Sequence, residues 1–314
     1  MKILIGYDGS KAADEAIEDL RKAGLPAKAQ AFILTSVPPL LPLDFLGGDP
    51  TGSSLYSTSY VETAELSVDL KARAKTQSEK AARALRKLMP GWTVTSGTCE
   101  DVPSHGILEK ADAWKPDLIV VGSHGWSEFG NLLLGSVADQ VLRHSHADVR
   151  VARKPARRRS GLTRLLIGFD GSPHAEATIA EVASRDWPKG TRVDILAASV
   201  MRQRLDELGQ AIKKALNPNA SDADAWPWME RALDKAVTRL NKAGLKATAM
   251  ITVDDPRKAL VEAAKETGAD CIFLGSRGLS GVKRFLLGSV SAAVAAHAPC
   301  SVEIIHAPAK KTGK

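Results

Sequence analysis

Two glycine-rich stretches carry the first hint of chemistry: Gly122-x2-Gly125-x9-Gly135-Ser136 and Gly275-x2-Gly278-x9-Gly288-Ser289. Glycine lets backbone N–H groups approach an anion closely, and a helix beginning at Ser136 or Ser289 aims unpaired donors and its positive dipole end at the same place. The serine hydroxyls add donors. Such loops suit phosphate. A single copy would serve equally well as tight strand–helix packing, but identical spacing in two copies favours a ligand.

Two further pairs of residues join these loops. His124 and Arg277 occupy the same slot between the first two glycines, where a cation or N–H donor can meet phosphate oxygens. Asp8 and Asp170 each follow a short apolar run and can accept hydrogen bonds from ribose hydroxyls or a base; the same position also suits an ordinary turn or helix-cap aspartate. In an open α/β sheet the ligand crevice lies outside the carboxyl ends of the strands, so the aspartate turn and the glycine loop of each copy converge on one cleft.

The chain that positions these residues repeats itself. Ile3 to Ser10 returns as Leu165 to Ser172, and Leu118 to Gly125 returns as Cys271 to Gly278, in the same order. A fused duplication follows, with domains at residues 1–153 and 164–306, a basic linker at 154–163 and a basic tail at 307–314. Each half alternates strand and helix signals, the pattern of a parallel sheet covered by helices.

In the first half, strands are expected at Lys2 to Tyr7, Ala31 to Val37, Thr93 to Thr98, Leu118 to Val121 and Val149 to Ala152. Helices are expected after the Ser10 cap, over Val61 to Met89, Pro103 to Trp114 and Ser136 to His144. The second half follows suit: a helix entered through Ser172-Pro173, strands at Val193 to Val200, Lys246 to Val253, Cys271 to Leu274 and Val302 to Ile305, and helices at Trp228 to Ala243, Pro256 to Thr267 and Ser289 to His297. The halves differ most in the Pro38 to Tyr60 and Met201 to Pro227 segments, where specificity can reside.

Composition narrows the class. At 314 residues, 44% hydrophobic and 25% charged, the chain is globular with room for two cores. No apolar run approaches the ~20 residues of a membrane helix, and Met1 leads straight into a strand, so neither membrane span nor signal peptide is expected. Cys99, Cys271 and Cys300 are scattered without CxxC spacing, which fits a reducing, cytoplasmic setting. The net charge of +7 draws on Arg153, Lys154, Arg157, Arg158, Arg159 and a lysine-rich tail, a linker and a terminus rather than a nucleic-acid surface. His144-Ser145-His146 lacks a third ligand, and no metal centre is expected.

The pattern G-x2-G-x9-G-[S/T] with an aspartate after strand one resembles the ATP-binding class of the universal stress protein family, twice over and across nearly the entire chain. The continuation Ser136-Val137-Ala138-Asp139-Gln140-Val141-Leu142-Arg143-His144 and the lead-in Ala298-Pro299-Cys300 extend the likeness. The resemblance implies two Rossmann-like α/β domains of the adenine nucleotide alpha hydrolase type, each a five-stranded parallel sheet of order 3-2-1-4-5. It implies ATP, with or without Mg2+, as ligand. The first site would comprise Gly6, Tyr7, Asp8, Val37, Val121, Gly122, His124, Gly125, Gly135, Ser136 and Val137. The second would comprise Gly168, Phe169, Asp170, Val200, Leu274, Gly275, Arg277, Gly278, Gly288, Ser289 and Val290.

Family members commonly dimerise through their fifth strands, and here Arg150 and Glu303 hold equivalent fifth-strand positions with opposite charge. They are expected to face each other across an intrachain pseudo-twofold axis, an arrangement that favours unlike halves over like ones. A homodimer of the whole chain remains an open expectation. Without a GxxxxGK[ST] loop or a second acidic cluster placed for magnesium, the residues favour a regulatory nucleotide-binding protein read by a protein partner. The enzymatic alternative is slow ATP hydrolysis or autophosphorylation; a third reading is an interaction protein independent of nucleotide.

Overall fold

A computed structural model of the protein describes residues 1–39, 56–125, 134–154, 162–199, 225–278 and 287–306. The first half runs β1 (Lys2–Gly6), α1 (Lys11–Asp19) with a 3-10 turn at Leu20–Lys22, β2 (Gln30–Val37), α2 (Tyr56–Leu88), β3 (Thr93–Glu100), α3 (Pro103–Trp114), β4 (Leu118–Gly122), α4 (Ser136–His144) and β5 (Asp148–Ala152). The second runs β6 (Arg164–Gly168), α5 (Pro173–Ser184), β7 (Arg192–Ser199), α6 (Ala225–Lys242), β8 (Lys246–Val253), α7 (Pro256–Thr267), β9 (Cys271–Gly275), α8 (Ser289–His297) and β10 (Ser301–Ile305). Val200, Arg157 to Arg159, the tail and most of both variable segments lie outside the described residues.

Helix entry follows the expected chemistry. Ser10 Oγ accepts the Ala13 N–H at 3.2 Å, Ser172 Oγ accepts the Ala175 N–H at 3.1 Å, and Pro173 fills the first turn of α5. The long helix α2 starts at Tyr56, five residues before the expected Val61. Its opening Tyr-Ser-Thr-Ser-Tyr run carries no apolar period and reads as loop.

All ten strands form one sheet of order β3-β2-β1-β4-β5-β10-β9-β6-β7-β8. Each half keeps the 3-2-1-4-5 order, with parallel pairing throughout, and β5 meets β10 antiparallel. Helices on both faces explain why Ile3, Leu4 and Ile5 are all fully buried instead of alternating. One face of each half has its own core, built on α1 and α2 or on α5 and α6. The opposite face shares a continuous core in which Val141, Val149 and Val151 join Val294, Val302 and Ile304.

The β5–β10 ladder pairs Val302 with Val151, Glu303 with Arg150 and Ile304 with Val149. Equivalent residues therefore coincide only at Arg150 and Glu303, which is the signature of a pseudo-twofold axis through that pair. Arg150 Nη1 donates to Glu303 Oε2 at 2.8 Å, and Arg150 Nε donates to Asp19 Oδ2 at 2.6 Å. Arg185 donates to both oxygens of Glu303 and, through Nε, to Glu181 at 3.0 Å. The result is a chain of alternating charges, Asp19, Arg150, Glu303, Arg185, Glu181. Arg150 and Glu303 are essentially inaccessible to solvent. Burial opposes ionisation of Glu303, but the two guanidinium groups outweigh it and hold the carboxyl below its ordinary range.

Arg153, grouped by sequence with the charges of the linker and tail, is held at the junction of the halves. Its guanidinium donates to the carbonyls of Ala298 and Ala296 at the end of α8, at 2.8 and 3.1 Å. A cation there complements the negative end of the helix and ties the two halves together. Gly24, just past the turn that follows α1, also serves the junction: its φ of +63° suits glycine, and a Cβ would lie 2.6 Å from the Trp187 indole.

Candidate functional site

At the carboxyl ends of β1 and β4, two turns approach one another. Asp8 Oδ1 accepts the Ser10 N–H at 2.9 Å, fixing the carboxylate over the entry to α1. A Cβ placed on Gly125 would sit 3.0 Å from the other oxygen, Oδ2. In the second half Asp170 Oδ1 accepts the Ser172 N–H at 2.9 Å, and a Cβ on Gly278 would come within 2.7 Å of Asp170 Oδ2. The strand-one aspartate and the second loop glycine are neighbours in both halves.

The third glycine brings in a helix terminus. Gly135 N–H donates to the Ser123 carbonyl at 2.8 Å, and Gly288 N–H donates to the Ser276 carbonyl at 2.8 Å. These bonds hold the starts of α4 and α8 against the turns after β4 and β9. Each N-cap is a glycine with no side chain to cap the first turn, unlike the serine-capped α1 and α5. The opening N–H groups of α4 and α8 thus keep their donor capacity at the positive end of a helix dipole. Ser136 and Ser289, the first residues of these helices, are solvent-exposed.

The expected site residues divide by position. Asp8, His124, Gly125, Gly135 and Ser136, with Asp170, Arg277, Gly278, Gly288 and Ser289, gather around the two turns and the helix start. Tyr7, Phe169, Val121 and Leu274 are buried in the cores, and Val137 and Val290 pack against one. Tyr7 and Phe169 also commit their N–H groups to Leu34 and Leu196. The Tyr7 hydroxyl donates to Asp14 at 2.6 Å; burial first, then this carboxylate, pushes the phenol up. Gly6 and Gly168 make room for Ile107 and for Leu274 and Leu260, while Gly122 and Gly275 let the backbone of Ala12 and His174 come close. Val37 ends β2 with its carbonyl accepting the Asp101 N–H at 3.0 Å.

Polar side chains at the two turns differ in a way the sequence did not signal. Ser123 Oγ meets His124 Nδ1 at 3.0 Å, whereas Ser276 Oγ meets His174 Nδ1 at 3.1 Å. His124 Nε2 is buried and finds no hydrogen-bond partner among the described residues. Burial chiefly, and then Arg277, lowers the His174 pKa. His306, at the end of β10, falls to about 4 through burial and the neighbouring His174, Arg277 and His146. Its N–H donates to Asp148 Oδ1 at 2.7 Å, and burial raises that carboxyl to about 7. His144 and His146 themselves are exposed. The three thiols are free, and burial pushes Cys300 up to about 12. Among the described residues, no helix is long and apolar enough to cross a membrane.

Comparison with known proteins bears on both halves. A sequence model described as the Universal stress protein family matches residues 1–153 and again 161–306. A universal stress protein of Methanocaldococcus jannaschii is 32% identical over 160 residues, 49% of this chain and 82% of that relative. One from Mycobacterium tuberculosis strain H37Rv is 28% identical over 235 residues, 71% of each chain. Among solved structures, a universal stress protein from Archaeoglobus fulgidus DSM 4304 covers 98% of both chains with a TM-score of 0.65 at 20% identity, a likeness of fold. With two matched domains joined through one sheet, the chain belongs to the universal stress protein family as a tandem member of Rossmann-like α/β fold.

Proposed function

We propose that each half binds an adenine nucleotide, ATP, with or without Mg2+, and that occupancy is read by a protein partner. The observation that carries this reading is the twofold recurrence of an aspartate turn touching a glycine turn beside an uncapped helix start. Gly125 and Gly278 fit the role because a side chain there would crowd the Asp8 or Asp170 carboxylate. The buried Nε2 of His124, without a hydrogen-bond partner among the described residues, fits an acidic ligand in the first half. Phosphates would rest on the N–H groups of Ser136 and Val137 and of Ser289 and Val290, with the Ser136 and Ser289 hydroxyls as further donors. Asp8 and Asp170, fixed by their bonds to Ser10 and Ser172, would accept from the nucleoside.

Binding suits these residues better than turnover. One oxygen of each aspartate is already committed to a helix entry, and a preformed cradle of backbone donors holds a triphosphate without activating water. Mass spectrometry of nucleotide released from purified protein by denaturation tests the proposal: ATP or ADP in stoichiometric amount is expected. Protein that never carries or takes up adenine nucleotide would overturn it, and many cycles of ATP hydrolysis would replace the sensor with an enzyme.

A further inference from the structure

The two halves also differ where β3 leads into α3, on the face of the sheet that carries α4. His105 and Glu109 stand one turn apart on one face of α3, and Asp101, just before its N-cap, lies one turn below them. Their ligand-capable atoms all lie within 4.8 Å of one another, and among the described residues no other group of three His, Cys, Asp or Glu side chains is gathered this way. The second half repeats the stretch 153 positions on, where Asp254, Lys258 and Glu262 take the corresponding places. Both carboxylates recur; the residue between them changes.

That change alters what the cluster needs. Lys258 brings its own positive charge, and its Nζ lies 3.9 Å from Asp254 Oδ2. His105 instead sets an imidazole between the two acids, with Nδ1 against Asp101 Oδ2. Here too the resting cluster is paired, His105 with Asp101, but an imidazole that gives up its proton becomes a lone-pair donor, so an ion displacing that proton would find one nitrogen and two carboxylates as a ligand set. Three such protein ligands with a position left for water are the ordinary equipment of an open zinc site, with ligand distances of about 2.0–2.2 Å.

The anchoring also suits a metal. Asp101 is fixed by its N–H bond to the Val37 carbonyl and by the Ser36 hydroxyl, which donates to the Asp101 carbonyl. His105 and Glu109 are exposed and able to close upon an ion held by Asp101. A thiol, Cys99, stands at the end of β3 where the second half has Thr252, and it senses both Asp101 and Glu109. We propose that Asp101, His105 and Glu109 form a binding site for a divalent transition ion of the zinc class, present in the first half and replaced by a lysine-centred ion pair in the second.

Metal-free, full-length protein titrated with Zn2+ in a calorimeter, and with Co2+ while its d–d absorption is followed, tests the site. One equivalent is expected to bind. His105→Lys, which copies the second half, and Glu109→Gln should each weaken that equivalent at least about 10-fold. His146→Ala, on the exposed loop before β5, should leave it unchanged. Both site substitutions fall on an exposed helix face whose counterpart already carries lysine, and circular dichroism monitors the fold. Failure of the protein to take up either ion, or variants that bind as the parent does, would overturn the proposal.

Discussion

Ser123 and Ser276 end the fourth strand of each half, and each meets an imidazole, yet the imidazole comes from a different place. In the first half it is the next residue, His124, in the slot between the loop glycines; in the second it is His174, from the first turn of α5, while Arg277 fills the slot. The backbone bonds around these serines are the same, down to 2.8 Å from Gly135 and Gly288. The comparison teaches that duplication here preserves the hydrogen-bonded scaffold and exchanges the charged side chains mounted on it. The same holds at the junction, where equivalent positions carry Arg150 and Glu303.

The largest way to break the equivalence is at that axis. Arg150→Glu would set two carboxylates in register with Asp19 beside them as a third, and urea denaturation is expected to show a loss of at least about 3 kcal/mol. The exchange Arg150→Glu with Glu303→Arg should not recover it, because Asp19 and Arg185 stay where they are. Full recovery would show that the pair alone, without its flanking charges, sets the match.

A second asymmetry lies beside it. Asp148 corresponds to the buried Ser301, and its carboxyl is raised to about 7. Since a free aspartate titrates near 3.9, the folded state holds the proton more tightly than the unfolded one. Its contribution is fullest below about pH 4 and is lost as pH rises towards 7. Asp148→Asn should therefore be more stable than the parent above pH 7, on the order of 2 kcal/mol, with the gap narrowing towards pH 4 in thermal melts. A gap of constant size across that range would contradict the raised pKa.

Glycine substitutions sharpen the comparison at the sites. A methyl at Gly278 would lie closer to its aspartate, 2.7 Å, than one at Gly125, 3.0 Å. Gly278→Ala is expected to weaken ATP binding to the second half by about 10-fold, roughly 1.4 kcal/mol, and Gly125→Ala to weaken the first half less. The smallest effects belong to the shared scaffold. Ser10→Ala and Ser172→Ala should each cost about 1 kcal/mol, and equally, in denaturant titrations.

The bounds of α3, α4, α7 and α8 were legible because Pro103, Ser136, Pro256 and Ser289 mark their starts, two repeated blocks disclosed the duplication, and the order of strands came with the family resemblance that those blocks carry. The Arg150–Glu303 meeting was also legible, since equivalent residues can coincide only on an axis. Asp19, Glu181 and Arg185 were not: they reach the axis from helices and a helix end distant in sequence. His174 escaped notice for the same reason, lying 102 residues from the serine it meets. His105 lay in plain view at helical spacing, but two exposed acids with a histidine look ordinary until the second half supplies Lys258 for contrast.

Calorimetric titration of nucleotide-free protein with ATP tests the central claim most directly. Two equivalents are expected, of unequal affinity because an imidazole in one half and a guanidinium in the other would meet the phosphates, with Gly125→Ala weakening one and Gly278→Ala the other. Absence of binding heat, or two variants that bind ATP as the parent does, would contradict the account of two glycine-cradled nucleotide sites.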